Sequence, residues 1–136
     1  MKELREPFLQ GNVSLNTAYG ELLNETRIRL LEAIDEHGTL THAARVLPLS
    51  YKAAWDALET MNRLSGMPVV ERSAGGRKGG GTVLTEHGHR LVALYRAVEK
   101  ECQLALGVLQ QHMDQGAAAT SFRYLLHRQA LSGVCS

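Results

Sequence analysis

Thr39 to Gly88 reads TLTHAARVLPLSYKAAWDALETMNRLSGMPVVERSAGGRKGGGTVLTEHG, and the order of signals in this stretch decides the fold. Thr39 or Thr41 can cap a short helix over His42–Val46, because a threonine hydroxyl accepts from the free amides of a first turn. Ala43 and Ala44 are adjacent and small, so a second helix can approach closely. Pro48 forbids continuation, since it lacks an amide proton and clashes with the preceding turn. Ser50 is a good cap for the next helix, roughly Tyr51 to Leu64, with Ala54, Leu58 and Met61 spaced for one buried face. That spacing turns Tyr51, Lys52, Trp55, Asp56 and Glu59 outward or to the helix edge. Gly66 and Pro68 stop it. Val69–Arg72 then reads as a strand and Thr82–Leu84 as its partner, with SAGGRKGGG between them. Two helices joined by a tight turn and followed by a cationic glycine hairpin predict a winged helix-turn-helix.

Working outward, a preceding helix is predicted to start between Leu22 and Glu25 and to end at His37–Gly38. Ile28, Leu31 and Ile34 give it an apolar stripe, widened by Leu30, and Gly38 supplies a left-handed stop. Upstream, Val13 and Leu15 alternate with polar neighbours between Gly11 and Gly20, which allows a short strand. Downstream, Thr85 caps a long helix from Glu86 to about His112. Leu91, Leu94, Val98, Cys102, Ala105 and Leu109 mark a three-to-four-spaced apolar seam along it. At a rise of about 1.5 Å per residue this helix is about 40 Å long, more than one small domain covers. The seam is therefore expected to be a dimer interface with a second copy. DQGAAATS reads as a linker, and Phe122–Leu131 can form one more short helix. The expected organisation is an N-terminal extension or short strand over 1–21, the DNA-binding domain over 22–85, a dimerisation helix over 86–113 and a linker with tail over 114–136. The fold class is mainly α with a small β-hairpin.

The chain has 136 residues, 44% of them hydrophobic, enough to bury one core. Cys102 and Cys135 are its two cysteines, too few for a disulfide framework or a zinc site. No apolar run spans a bilayer, and MKELREPFLQ carries no secretory pattern. A cytoplasmic protein without membrane contact is expected. The formal net charge is only +1, so any grip on DNA must come from local clustering of cations.

Such clustering is present. A recognition helix enters the major groove with polar groups at its N-terminal turn, where Ser50, Tyr51 and Lys52 stand and Thr41 belongs to the helix before. Lys52 can donate to guanine acceptors or phosphate; Tyr51 can reach phosphate or lie near a thymine methyl. Trp55, one turn on, is either a half-buried brace between helix and hairpin or a direct base contact. Arg72, Arg77 and Lys78 put three cations at or near one hairpin, with no acid between Arg72 and Glu86. They fit phosphates or a narrow minor groove, although a glycine-rich tip can also be a plain solvated loop. A nucleotide loop fails on spacing, because Lys78 is followed by Gly79 and then by strand residues rather than by Ser or Thr opening a helix. His87 and His89 sit two apart on a helix and point to different faces, so no metal site is expected. No catalytic triad or paired carboxylates are evident, and neither an enzyme nor a cofactor is predicted.

Ser50 to Tyr95 carries S-Y-K-x-A-W-D-A, M-N-x-L, V-E-R and a G-G-x-x-G-G-G wing leading into V-L-T. With these motifs the chain resembles the N-terminal DNA-binding domain of the ModE family of molybdate-responsive transcriptional regulators. More loosely, Leu22–Leu109 is similar to LysR-type domains, a winged helix-turn-helix followed by a long dimerisation helix. The resemblance implies a homodimer on an inverted-repeat operator in double-stranded DNA, near genes for molybdate transport or molybdoenzymes. It sets Ser50, Tyr51, Lys52, Arg72, Arg77 and Lys78 at the DNA. Members of that family carry C-terminal oxyanion-binding domains after a T-S-A-R-N-type linker. The present sequence ends in ALSGVCS without that motif, so molybdate binding by this chain is not expected. A naturally short regulator, a truncated one, and a subunit served by a separate sensor chain all fit. A winged-helix protein-interaction module without specific DNA binding is the alternative.

Overall fold

The computed structural model describes residues 9–73 and 80–114, in the order β1 (Leu15–Thr17), β2 (Gly20–Leu23), α1 (Glu25–His37), α2 (Leu40–Val46), α3 (Tyr51–Ser65), β3 (Val70–Ser73), β4 (Gly81–Leu84) and α4 (Glu86–Asp114). It is a mainly α winged helix-turn-helix with a long C-terminal helix. Two units divide the chain, one over Val13–Ala97 and the other over Met1–Asn12 with Val98–Ser136.

In the first unit each helix begins on a side chain that satisfies an otherwise idle amide. Asn24 accepts from Arg27 N at 2.8 Å, Thr39 from His42 N at 3.1 Å, and Ser50 from Ala53 N at 3.0 Å. Thr85 does the same for Gly88 N at 2.9 Å at the head of α4. Gly38 and Gly66 close α1 and α3 in the left-handed conformation at φ 80° and 82°. α1 buries Ile28, Leu30, Leu31 and Ile34, α2 buries Ala43 and Ala44, and α3 buries the anticipated Ala54, Leu58 and Met61. Leu23, Val69, Leu84, Leu91 and Tyr95 complete this core.

Where one upstream strand was expected there is a hairpin. β1 and β2 pair antiparallel across the two-residue turn Ala18–Tyr19, and β2 runs on to Leu23. The polar-looking Glu21 and Asn24 mask this strand in the sequence. Leu23 is fully buried, which makes the hairpin part of the core rather than an appendage. The Glu21 carboxylate accepts from Ser14 Oγ at 2.7 Å and from Asn24 Nδ2 at 3.2 Å. Those two bonds, with Arg27 nearby, hold its pKa below the ordinary glutamate value.

The proximal part of α4 runs against α1. Arg96 forms a bidentate pair with Glu32, at 3.0 and 2.7 Å, and reaches Glu25 at 3.3 Å. Tyr95 is buried beside it and donates its hydroxyl to the Val13 carbonyl at 2.9 Å. Leu91, expected in the dimer seam, is instead a core residue of this unit at 8% exposure. The first two turns of α4 close the domain, so their inner residues are already covered. Leu94, at 49%, is exposed. In the second unit the Leu9 amide donates to Gln110 Oε1 at 3.2 Å, and Gly11 lies against Cys102 and Leu106 of α4. Part of the predicted seam at Cys102 is therefore covered by the chain's own segment. Val98, Ala105 and Leu109 are partly buried. The expected linker and short helix after Asp114 lie outside the described residues.

Gly88 gives a clean contest between two effects. Alanine favours helix over glycine by about 1 kcal/mol, yet a Cβ there would collide with the Val69 backbone carbonyl. Backbone cannot yield as a side chain can, so Gly88→Ala should destabilise by about 1–3 kcal/mol in urea unfolding. A gain would contradict the packing described. Glu21→Gln should cost stability at neutral pH. The deficit should shrink as pH falls below the ordinary glutamate range, because a depressed pKa stabilises only while the group is ionised. Thermal melts of both proteins from pH 7 to pH 3 measure this, and a deficit independent of pH would count against it.

Candidate nucleic-acid interface

Three elements meet at one opening on the first unit. The N-terminal turns of α3 bring Tyr51 and Trp55, the start of α2 brings Thr39, Leu40 and Thr41, and the hairpin brings Val70–Arg72 and Gly80–Thr82. Together they line a groove of about 330 Å³ floored by Leu58.

Hydrogen bonds from backbone amides hold the hairpin in place. The Thr82 amide donates to the Gly38 carbonyl at 2.8 Å, which ties β4 to the turn between α1 and α2. Asn62 Oδ1 accepts from Val69 N at 2.9 Å, which ties the approach to β3 onto α3. β3 and β4 pair with Val70 opposite Leu84 and Arg72 opposite Thr82. Side chains alternate along a strand, so these four share a face, the one whose inner end carries the buried Leu84. Arg72 and Thr82 extend that face into the groove.

α3 presents its first turn outward. Tyr51 is 53% exposed and Trp55 43%. Trp55 Nε1 donates to Tyr51 Oη at 3.1 Å. Trp55 is thus bonded within α3, with much of its ring open at the groove. Ser50 serves as the cap of α3 through its hydroxyl. The amides of Tyr51 and Lys52 stay free of helical partners, as first-turn amides do, and with the helix dipole they favour an anion. Lys52 Nζ lies 3.1 Å from Asp56, an exposed pair one turn apart. Such pairs contribute about 0.3–0.5 kcal/mol, so a phosphate can displace the carboxylate. Thr41 is exposed on α2 at the rim. Arg77 and Lys78 lie outside the described residues.

Sequence reasoning did not single out Thr39, Thr82 or Gly81 for this groove. Threonines there look like strand and cap residues, and Gly81 is set by close packing, since a Cβ would stand 2.8 Å from Ser73 Cβ. The histidine pair is split: His87 Nε2 meets Ser65 Oγ at 2.9 Å, whereas His89 lies 3.9 Å from Asp35. Among the described residues no cluster of His, Cys, Asp or Glu could hold a metal ion, and no helix is long and apolar enough to cross a membrane.

Residues 26–89 match the family of bacterial regulatory helix-turn-helix proteins of the lysR type. This segment is similar to lysR-type helix-turn-helix domains. The chain is 51% identical over 123 residues to the molybdenum transport protein ModE of Azotobacter vinelandii, covering 89% of this chain and 46% of that one. It is 46% identical over 107 residues to the molybdenum-pterin-binding protein MopA of Rhodobacter capsulatus, covering 79% and 40%. It is 43% identical over 111 residues to the transcriptional regulator ModE of Haemophilus influenzae, covering 79% and 43%. The chain thus spans less than half the length of these curated relatives.

The Lys52–Asp56 pair yields a test of the lysR-type interface. Asp56→Asn releases Lys52 and removes an anion beside the groove. Gel-shift titration at low salt should show DNA affinity rising several-fold, with the gain fading as salt screens the charge. Unchanged or weaker binding would mean Lys52 does not face the duplex.

Proposed function

We propose that this chain is the DNA-binding part of a homodimeric transcriptional regulator that reads an inverted-repeat operator. Its genes are those of molybdate transport or molybdoenzymes, and it acts in the cytoplasm. The carrying observation is the shared groove: Tyr51 and Trp55 of α3 and Arg72 and Thr82 of the hairpin face one opening. A duplex laid there would receive the α3 N-terminus in its major groove and the hairpin along the flanking backbone. The names of the relatives support the molybdenum connection.

Ser50, Tyr51 and Lys52 serve the recognition helix, with Thr41 at the phosphate beside it. Trp55 braces and lines the groove. Arg72, together with Arg77 and Lys78 of the same hairpin, neutralises phosphates and contributes affinity without much sequence preference. Two copies joined through Leu94, Val98, Ala105 and Leu109 of α4 would carry two recognition helices about 34 Å apart, one helical turn of DNA. Leu91 supports that helix from the core. The chain's own residues are not assigned to molybdate.

Selection from a random duplex pool, with and without molybdate, should enrich a two-fold-related site that the oxyanion leaves unchanged. A pool without enrichment would defeat the reading. Lys52→Ala should weaken the selected site and relax its base preference. Arg77→Ala with Lys78→Ala should weaken all sequences and flatten the salt dependence by about two phosphate contacts; an unchanged slope would remove the hairpin from the DNA.

A further inference from the structure

We infer that Tyr51 and Trp55 act as one hydrogen-bonded unit in which Trp55 positions the Tyr51 hydroxyl as a donor to an acceptor oxygen of the DNA, and this rests on the DNA-binding reading above. An indole N–H can only donate, and the Trp55 N–H is taken up by Tyr51 Oη at 3.1 Å. The phenol therefore receives a bond on one of its acceptor positions and keeps its own proton. Among the described residues no group receives that proton, and the side chain is exposed on the first turn of α3. A hydroxyl fixed in this way is set to give a hydrogen bond to whatever lies at the mouth of the groove.

The consequence is selective. Phosphate oxygens, guanine O6 and thymine O4 are acceptors, while the amino groups of cytosine and adenine are donors. The oriented proton faces the first class favourably and leaves the second class to compete for the one remaining lone-pair position. Trp55, its only donor spent, offers DNA no hydrogen bond of its own and contributes its ring surface alone. Trp55 is thus a positioning residue acting through Tyr51, which a purely packing role would not require. Thr82 and Arg72 line the same groove from the hairpin side, so the proton is delivered between two DNA-facing elements.

A double-mutant cycle on the selected operator tests the coupling. Tyr51→Phe removes the hydroxyl, and Trp55→benzothienylalanine keeps the bicyclic ring but replaces N–H by sulfur. Each single change should weaken binding about tenfold, the size expected for a hydrogen bond to a charged or strongly accepting group. The double variant should be no weaker than Tyr51→Phe alone, and thermal midpoints should not move. Losses that multiply, or a Trp55→benzothienylalanine chain that binds as the native one does, would overturn the coupling. A native chain without sequence preference would overturn both the coupling and the reading beneath it. Two sets of probes identify the acceptor. If it is a phosphate, one methylphosphonate substitution removes the Tyr51→Phe effect. If it is a base, 2-aminopurine for guanine or 5-methyl-2-pyrimidinone for thymine removes it instead. An effect that survives every substitution would overturn the acceptor assignment.

Discussion

The Thr82 amide donates to the Gly38 carbonyl, and this bond ties the β3–β4 hairpin to the turn between α1 and α2. A two-stranded hairpin is marginal by itself, and a helix-turn-helix alone sets no fixed direction for the chain leaving it. Because Gly38 ends α1 in a left-handed conformation, its carbonyl is turned away from the helix and is available to β4. The Asn62 contact to Val69 and the Thr85 amide bond to the Val69 carbonyl, at 3.0 Å, fix the other end of the hairpin. Arg72 and Thr82 thereby face Tyr51 and Trp55 across one groove. Without these ties Arg72 would have no set bearing on α3.

Charge plays a local part. The whole chain is nearly neutral, and the surface of the domain mixes signs. Opposed charges link α1 to α4 through Glu25, Glu32 and Arg96, whereas Lys52 and Asp56 form a weak exposed pair beside the groove. The first set fixes architecture. The second is weak enough to exchange its carboxylate for a phosphate at little cost. Net charge alone says little about such a division of labour, because it averages over partners that never meet.

Much of this was readable in the sequence where side chains carry the signal. Ser50, Gly66 and the spacing of Ala54, Leu58 and Met61 marked α3, and the Gly38 stop and Ile28–Leu31–Ile34 stripe marked α1. Val69–Arg72 and Thr82–Leu84 marked the hairpin to within a residue at each end. The features that stayed hidden had no side-chain signature. The Gly38–Thr82 bond is backbone to backbone. β2 is polar except for its last two leucines and runs directly into the cap of α1, so it reads as the helix start. Leu91 has the same spacing as the exposed Leu94 and the partly buried residues beyond it. Only the closure of the first turns of α4 over Val69 and Leu84 sends it inside. The Tyr51–Trp55 and Lys52–Asp56 pairs are one helical turn apart and were visible as spacing, yet spacing does not say that the side chains turn toward each other.

The central claim is that the start of α3 and the β3–β4 hairpin engage the same stretch of double strand. Photo-cross-linking measures it directly, with p-benzoylphenylalanine placed at position 51 in one protein and at position 72 in another, each bound to the same labelled operator half-site. The account predicts cross-links from both positions within a few nucleotides of each other, from position 51 to bases in the major groove and from position 72 to the adjoining flank. Cross-links from position 51 with none from position 72, or from the two positions to separate sites, would contradict it.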